Sequence, residues 1–261
     1  MTAGSDPRGR CAVYLRNGSN SESCLASRLS RYIDLTEAEL RFVARMERDS
    51  RPLKRRQAIY EIGELTEELH VVKYGWALVY GAPVRGRRPI LHIYLPGDVM
   101  GMAEIAQTHA VHATVMRTDG MICPFPRAAI ADMYAQVPRL GALIMALNSL
   151  EHLGLRQRFA AATSLNAEAA LIQFLLALKN RLDAAQTQET ARFYMPLTQS
   201  ELGDHLGLTS IYINRLLRRL NDRGVLTLRD KHVQIHDPDA VSETAGLRND
   251  WTNIDQSWFP A

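Results

Sequence analysis

The hydrophobic pattern divides the chain into a β-rich part followed by a helical part. Between about residues 56 and 125, short apolar or β-branched runs alternate with glycine and proline, which is typical of strands joined by turns. The five runs are Leu69–Lys73, Ala77–Tyr80, Ile90–Leu95, Ala113–Met116 and Met121–Phe125. Many short strands at this spacing predict a sandwich or a β-roll.

The segment before this part has a different pattern. Residues 1–27 are rich in serine, asparagine, glycine and arginine and show no periodicity, which predicts a mobile extension. Thr36 followed by Glu39 then forms the sequence signature of a capping box, which predicts the start of a short helix.

From about Ala128 onward the hydrophobic period becomes helical. Six positions recur at alternating steps of four and three, as in a coiled-coil seam: Leu143, Leu147, Leu150, Gly154, Gln157 and Ala161. The pattern fits a long helix that packs on its own domain, and it equally fits a helix that pairs with a second copy of the chain. Asn166 can cap a further helix that runs to about Asp183.

Residues 196–237 carry the most informative pattern. Thr198 and Glu201 form a second capping box, Gly207 ends the short helix that follows, and Thr209 can cap another helix. Gly224 stands where a left-handed residue would end that helix, and two short strands, 225–228 and 233–235, come after it. The order of helix, short turn, helix and β-hairpin is typical of a winged helix-turn-helix.

The second helix of this motif has two contrasting faces. The apolar inner face consists of Ile213, Leu216, Leu217 and Leu220. The opposite face consists of Ile211, Arg215, Arg218 and Asp222, flanked by Asn214 and Arg219. An arginine can bond guanine, an asparagine can bond adenine, and an exposed isoleucine can contact a thymine methyl, so this face suits the major groove of DNA. The alternative is an ordinary solvated amphipathic helix.

Composition limits the remaining classes. The net charge of +3 and the 46% of hydrophobic residues are those of an ordinary globular protein. The sequence shows no secretory signal and no apolar run long enough for a membrane span, so we expect a cytoplasmic protein without a membrane partner. No catalytic or metal-ligating constellation is present, so an enzyme is not expected. The three cysteines, Cys11, Cys24 and Cys123, are too few for a disulfide framework.

Two motifs resemble the CRP/FNR superfamily of dimeric bacterial transcription regulators. They are LTQSELGDHLGLTSIYINRLLRRLNDRGVL near the C-terminal end and YLPGDVMGMAEIA in the β-rich half. The resemblance covers about residues 30–240 and implies an α+β fold. The implied divisions are an extension (1–27), a cyclic-nucleotide-binding-type β-roll (28–135), a dimerisation helix (136–163), a winged helix-turn-helix (164–238) and a tail (239–261).

The resemblance also implies how such a protein would bind DNA. A homodimer would place two recognition helices on a palindromic operator, and an activator would also contact RNA polymerase. The base contacts expected are Ser210, Ile211, Asn214, Arg215 and Arg218. The phosphate contacts expected are Thr198, Gln199, Thr209 and Tyr212. Ile211 replaces the family's usual glutamate, which predicts a half-site without the usual TGA-type core.

The same resemblance speaks against cyclic nucleotides as effectors. In the superfamily a Gly-Glu pair and a later Arg hold the ribose and the phosphate. Met102 and Val111 stand at the glutamate and arginine positions here, so the phosphate would lack its cation. The predicted regulator therefore does not depend on cyclic AMP.

Two alternatives stay open. Cys11, Cys24 and Cys123 could serve an oxygen- or redox-responsive regulator, but three cysteines cannot supply a four-cysteine iron–sulfur cluster within one chain. A cupin-like metalloprotein fused to the DNA-binding module would recruit His92, Glu104, His109 and His112. The aromatic tail residues Trp251, Trp258 and Phe259 are expected to dock on the sensor domain or on a partner subunit.

Overall fold

A computed structural model describes residues 13–14, 20–21, 23–84, 86–185, 192–238, 241, 251 and 254–260. The chain forms two compact units. The first consists of Met1–Ala82, Leu91–Asn148 and Asp255–Ala261, and the second consists of Pro83–Ile90 and Ser149–Ile254. Within the described residues, no helix combines the length and apolar character needed to cross a membrane.

The first unit begins with a strand pair and two short helices, followed by two sheets. In chain order its elements are β1 (Val13–Tyr14), β2 (Asn20–Ser21), α1 (Cys24–Leu29), α2 (Glu37–Met46), β3 (Arg51–Leu53), β4 (Ala58–Tyr60), β5 (Glu68–Tyr74), β6 (Ala77–Tyr80), β7 (Ile90–Tyr94), β8 (Val99–Met100), a 3₁₀ turn (Met102–Glu104), β9 (Ala113–Met116), β10 (Gly120–Pro126) and α3 (Ala128–Gln136). One sheet has the order β3-β10-β5-β8 and the other β4-β9-β6-β7. All five of the predicted strand runs are strands.

The two sheets share one core. Its buried side chains come from strands of both sheets: Leu53, Val72, Ala77, Val79, Tyr94, Met100, Met116 and Ile122. Strand pairs such as β10 with β5 and β6 with β9 are antiparallel, so alternate side chains of each strand reach this core. Together with the helical second unit described below, this arrangement confirms the predicted α+β fold with a β-roll.

Helix α1 corrects the predicted boundary of the N-terminal extension. The helix begins at Cys24, with the Ser23 hydroxyl accepting a hydrogen bond from the Ala26 amide, whereas the sequence predicts a mobile segment through residue 27. Leu25 is 1% exposed, and Arg28 forms an ion pair with buried Asp98. The pattern missed this helix because six residues are too few to display a helical period.

The predicted capping box of α2 is present. The Glu39 amide donates to the Thr36 hydroxyl at 3.3 Å, and the Thr36 amide donates to the Glu39 carboxylate at 2.7 Å. Arg139 binds the same carboxylate through two nitrogens at 3.0 and 2.7 Å. These hydrogen bonds hold the pKa of buried Glu39 below its ordinary value, although burial itself opposes the shift.

The long helix α4 spans Pro138–Ser164, as the periodicity predicts, and part of the predicted dimer seam is buried within the chain. Leu143, Leu147 and Ala161 are buried within the chain. The remaining seam positions, Leu150, Gly154 and Gln157, are partly buried. A four–three spacing shows only that one helix face is covered and does not show what covers it. Here the chain's own packing covers part of that face.

The second unit continues with α5 (Ala167–Ala185), β11 (Arg192–Tyr194), α6 (Gln199–Leu206), α7 (Ser210–Asp222), β12 (Leu226–Arg229) and β13 (His232–Ile235). Its sheet has the order β11-β13-β12, with antiparallel pairs. The predicted helices and the hairpin are all present within two residues of their expected ends. Strand β11 was not predicted, because three residues carry no recognisable alternation.

The C-terminal tail is described in part. Trp251 is buried beneath the Arg181 guanidinium, which lies 5.7 Å from the centre of its ring. In the first unit, the Gln256 side-chain amide donates to the Tyr32 carbonyl at 2.6 Å, while Trp258 remains half exposed and packs edge-on against Phe259. Of the tail aromatics, Trp251 is therefore buried and Trp258 is half exposed, and residues 254–260 also contact the first unit through a side-chain amide.

Candidate nucleic-acid interface

The capping box at Thr198 begins the helix-turn-helix. The Glu201 amide donates to the Thr198 hydroxyl at 3.2 Å, and the Thr198 amide donates to the Glu201 carboxylate at 2.6 Å. Gly207 ends α6 with a φ of 70°, a left-handed conformation that favours glycine. The box and the glycine fix both ends of α6.

A close approach of backbone atoms sets the turn between α6 and α7. A Cβ atom on Gly203 would lie 2.5 Å from the Leu208 carbonyl oxygen, a separation that real side chains do not adopt. The Leu208 amide in turn donates to the Gly203 carbonyl at 2.9 Å. Gly203 is therefore required for the packing of the two helices, and the sequence pattern gave no signal for this role.

His205 fastens α6 from its inner side. Its Nδ1 hydrogen donates to the Ile90 carbonyl at 2.9 Å, its Nε2 lies 3.3 Å from Arg158, and its ring packs against Phe174. Burial, together with the charges of Arg158 and Arg181, lowers the pKa of His205 to about 3. The imidazole is therefore neutral at physiological pH.

Helix α7 presents the two faces that the sequence predicts. The Thr209 hydroxyl caps it by accepting a hydrogen bond from the Tyr212 amide at 3.2 Å. The inner side chains Ile213, Leu216 and Leu220 are fully buried, whereas Ile211 is 82% exposed. An isoleucine that is this exposed buries little apolar area within the chain, and its side chain is accessible for an apolar contact with a partner.

The outer face of α7 forms an open concave surface. Its lining consists of Gln199, Ser210, Ile211, Asn214, Arg215, Arg218, Arg219, Asp222 and Arg223. The Asn214 side-chain amide donates to the side-chain Oε1 of Gln199 at 2.9 Å, and the Arg215 guanidinium lies 4.7 Å from the centre of the Tyr212 ring. Both contacts restrict the rotamers of side chains that can read bases.

Six of the nine predicted DNA-contacting residues line this surface. The other three do not line it: the Thr198 and Thr209 hydroxyls cap helices, and the Tyr212 ring packs against the Arg215 guanidinium. The surface also includes Arg219, Asp222 and Arg223, which were not among the predicted contacts. The angular pattern of the helix placed Asp222 on this face and Arg219 beside it, but gave no reason to select either.

The β-hairpin after α7 has a tight turn. Asp230 and Lys231 adopt φ values of 50° and 60°, the conformation of a type I′ turn that joins two antiparallel strands. This hairpin corresponds to the predicted wing.

Within the first unit, the region that matches the family's effector pocket contains a buried carboxylate. Glu104 is 6% exposed, and His112 Nδ1 lies 2.7 Å from its Oε1, whereas the described residues offer its Oε2 no hydrogen-bond partner. Burial and the nearby Glu104 charge raise the pKa of Tyr60 to about 12. The interior thus carries an acidic side chain, and Val111 is 47% exposed.

The four predicted cupin-like ligands do not converge. Glu104 and His112 are hydrogen bonded, but His109 Nδ1 lies 3.0 Å from the Thr108 hydroxyl. The His92 ring packs edge-on against Tyr94 at 4.6 Å. A zinc centre needs three or four ligands around one point, and these contacts direct the rings to different neighbours.

The two described cysteines are buried and are not joined in a disulfide. Cys24 donates from Sγ to the Lys73 carbonyl at 2.7 Å, and Cys123 lies on β10. Burial and the charge of Glu47 raise the pKa of Cys123 to about 11. Such a thiol carries little thiolate and reacts slowly. Cys11, the third predicted redox residue, lies outside the described residues.

Comparison with known proteins agrees with this organisation. A cyclic nucleotide-binding domain profile matches residues 50–137, and a Crp-like helix-turn-helix domain profile matches residues 169–244. The chain is 28% identical to the anaerobic regulatory protein of Pasteurella multocida over 94% of this chain and 87% of that protein. It is 26% identical to the fumarate and nitrate reduction regulatory protein of Escherichia coli strain K12 over 91% of this chain and 92% of that protein.

Solved structures share the fold. FixK2 from Bradyrhizobium japonicum superposes with a TM-score of 0.66 at 20% identity, covering 75% of this chain and 96% of that chain. A CRP-family transcriptional regulator from Thermus thermophilus superposes with a TM-score of 0.58 at 17% identity, covering 77% and 99%. With both domain profiles in the family's order and relatives matched over nearly the whole length, the chain belongs to the CRP/FNR family of DNA-binding transcription regulators.

Proposed function

We propose that this regulator binds a palindromic DNA operator as a homodimer and reads it with the outer face of α7. The observation that carries the proposal is the composition of that face, where cationic side chains surround the 82% exposed Ile211 above a fully buried apolar inner face. A helix built in this way is complementary to a major groove, which is anionic at its walls and carries thymine methyls on its floor.

Each side chain of the face has a distinct expected role. Arg215, supported by the Tyr212 ring, is placed to bond guanine, and Arg218 extends the cationic surface by one further turn. Asn214 is held by Gln199 in a fixed orientation from which its amide can address adenine. Ile211 offers only apolar contact, so it cannot accept a hydrogen bond from cytosine N4.

Selection of binding sites from random duplex DNA tests this proposal. We expect two inverted half-sites about one helical turn apart, without a TGA-type core at the position that faces Ile211. The Ile211→Glu variant is the matched comparison, because it restores the acceptor and should shift the selected core. Recovery of TTGAT or TGTGA half-sites by the unchanged protein would overturn the assignment of Ile211.

The exposed side of α4 supports dimerisation. Leu155 and Phe159 are 53% and 71% exposed, and at 100° per residue they lie about 40° apart on one face of the helix. We propose that a second copy of the chain covers this face, in place of the seam predicted from the sequence. Two-fold pairing of this kind also matches a palindromic operator.

Sedimentation of Phe159→Glu tests the dimer. A buried charge at the interface should convert the protein to a monomer, whereas Val84→Glu, an equivalent change at a 62% exposed site, should leave the dimer intact. A dimer that persists in Phe159→Glu would remove this face as the interface. For an activator, RNA polymerase is the further partner, which transcription in vitro with purified polymerase would detect.

We propose that the sensor unit does not respond to cyclic nucleotides. The buried Glu104 carboxylate and the valine at position 111 present an acidic and an apolar group where an anionic phosphate would need a cation. Calorimetry with cyclic AMP and cyclic GMP should therefore show no micromolar binding. A dissociation constant in that range would overturn this part of the proposal.

The relatives favour a second candidate role in anaerobic regulation, because the first of them is an anaerobic regulatory protein. The residues do not fit a four-cysteine iron–sulfur cluster, since the chain has three cysteines and Cys24 and Cys123 are buried. We therefore expect anaerobically purified protein to be colourless and iron-free. Stoichiometric iron and sulfide with a visible absorption band would establish a cluster and reverse this expectation.

A further inference from the structure

Glu168 lies in the first turn of α5 and pairs with two arginines at the end of the recognition helix. Arg219 Nη1 lies 3.4 Å from Glu168 Oε2, and Arg223 Nη1 makes a closer hydrogen bond to Oε1. The glutamate side chain is 19% exposed, and the two arginines are 53% and 58% exposed. One largely covered carboxylate thus holds two largely exposed cations.

These two arginines belong to the same concave surface as the base-reading residues. Arg219 and Arg223 line it together with Arg215 and Arg218, so four arginines face one surface. Arg215 packs on Tyr212, whereas Arg219 and Arg223 turn toward Glu168, which lies 51 and 55 positions earlier in the chain. The carboxylate and a DNA phosphate would compete for the same guanidinium groups.

We propose that Glu168 is a positioning residue that weakens the sequence-independent part of DNA binding by withholding Arg219 and Arg223 from the phosphates. This inference rests on the proposed contact of α7 with DNA. Phosphate contacts strengthen binding to every sequence equally, whereas base contacts strengthen binding to the operator. A carboxylate that restrains two phosphate-seeking cations therefore lowers the affinity for operator and unrelated DNA alike, and it weakens the dependence of that affinity on salt.

The salt dependence of binding by full-length Glu168→Gln tests this inference. Fluorescence anisotropy on the selected operator and on an unrelated duplex, between about 50 and 200 mM salt, gives the slope of log affinity against log salt. Each phosphate contact adds about 0.9 to this slope, so release of two arginines should steepen it by up to about 1.8 on the unrelated duplex. The affinities for both duplexes should rise by a similar factor, so the ratio of operator to non-specific affinity should stay unchanged.

We call the pairing of Glu168 with Arg219 and Arg223 the clamp. Two controls distinguish release of this clamp from a general effect of removing one negative charge. In an Arg219→Ala/Arg223→Ala background, Glu168→Gln should change the slope no further, because the held cations are gone. Glu37→Gln removes a first-turn glutamate that also pairs with an arginine, Arg41, on α2, and it should leave DNA binding unchanged. Thermal unfolding of Glu168→Gln and Glu168→Ala shows whether either variant has lost its fold.

The outcomes distinguish this inference from the function on which it rests. A steeper slope that disappears in the double-arginine background supports the clamp. An unchanged slope, or an equal change in that background, overturns it while leaving operator binding established. If the unsubstituted protein binds neither duplex, the proposed function itself fails and the clamp with it.

Discussion

The recognition face of α7 and the interior of the β-roll place their polar side chains in opposite ways. On α7 the arginines point to solvent, and the apolar side chains of the inner face are buried. Ile211 is apolar but lies exposed among the arginines. In the β-roll, Glu104 and His70 point inward, at 6% and 5% exposed. An outward cationic face can meet a large polyanion, whereas an inward acidic group excludes one.

The two regions differ in how they accommodate ionisable side chains. Water solvates the exposed guanidinium groups of α7, so these groups carry no desolvation cost. The buried imidazoles His70 and His205 avoid charge instead, because burial lowers the pKa of His70 to about 4 and that of His205 to about 3. Substitutions on the recognition face should therefore change binding with little effect on stability, and substitutions in the interior should do the reverse.

The largest expected effect is a loss of stability in acid. The folded pKa of His205 lies below its unfolded value of about 6.5, so the unfolded chain binds the proton more readily. The stability that depends on neutral His205 is complete above about pH 6.5 and falls until about pH 3, by on the order of 4–5 kcal/mol. His205→Asn should flatten this dependence in urea unfolding measured across pH, whereas exposed His236→Asn should not.

The next effect concerns the apolar inner face of α7. Leu216 is fully buried, so Leu216→Ala should lower the free energy of unfolding by about 2–5 kcal/mol. Ile211→Ala removes a similar volume from the exposed face of the same helix and should leave stability within about 0.5 kcal/mol of the original. Urea unfolding followed by circular dichroism measures both; equal losses would contradict the two-faced description of α7.

A smaller effect concerns base reading. Arg215→Ala should weaken operator binding by about 1–3 kcal/mol and relax the choice of base at one position, because a bidentate contact is lost. Arg41→Ala, at a 71% exposed side chain on α2, is the control and should not alter binding. A gel shift with the operator and a single-base variant measures affinity and discrimination together; unchanged values for both would remove Arg215 from the reading set.

The smallest effect compares the two capping boxes. Thr198→Ala and Thr36→Ala each remove a hydroxyl that accepts from the third helical amide, and each should cost about 0.5–2 kcal/mol of stability. Only Thr198→Ala should also weaken operator binding, since its box begins α6. Thermal unfolding and a gel shift on both variants test this. Weaker operator binding by Thr36→Ala would show that the capping box of α2 also affects DNA binding.

Local relations in the sequence predicted most of the recognition motif. The capping boxes at Thr36 and Thr198, the glycine end of α6 and the buried face of α7 depend on residues three or four positions apart, which a single helix brings together by its own geometry. The exposure of Ile211 follows from the same angular spacing. These features needed no knowledge of any other element.

Other features depended on contacts between distant parts of the chain. The seam on α4 could be recognised as periodic, but the periodicity could not show whether the chain or a second copy covers it. The burial of Cys24 required a six-residue helix to pack on the β-roll, and Gly203 required the backbone of Leu208 to approach it. A pattern of residue types contains none of these distances.

The sequence by itself determined most of the elements, the two faces of α7 and the family, because hydrophobic period and helix caps act within a few residues. Only the tertiary structure decided which polar groups meet. Glu168 reaches Arg219 and Arg223, and His112 reaches Glu104, because folding brings separate elements together. Electrostatic pairing depends on distance in space, and distance along the chain constrains it weakly beyond one helical turn.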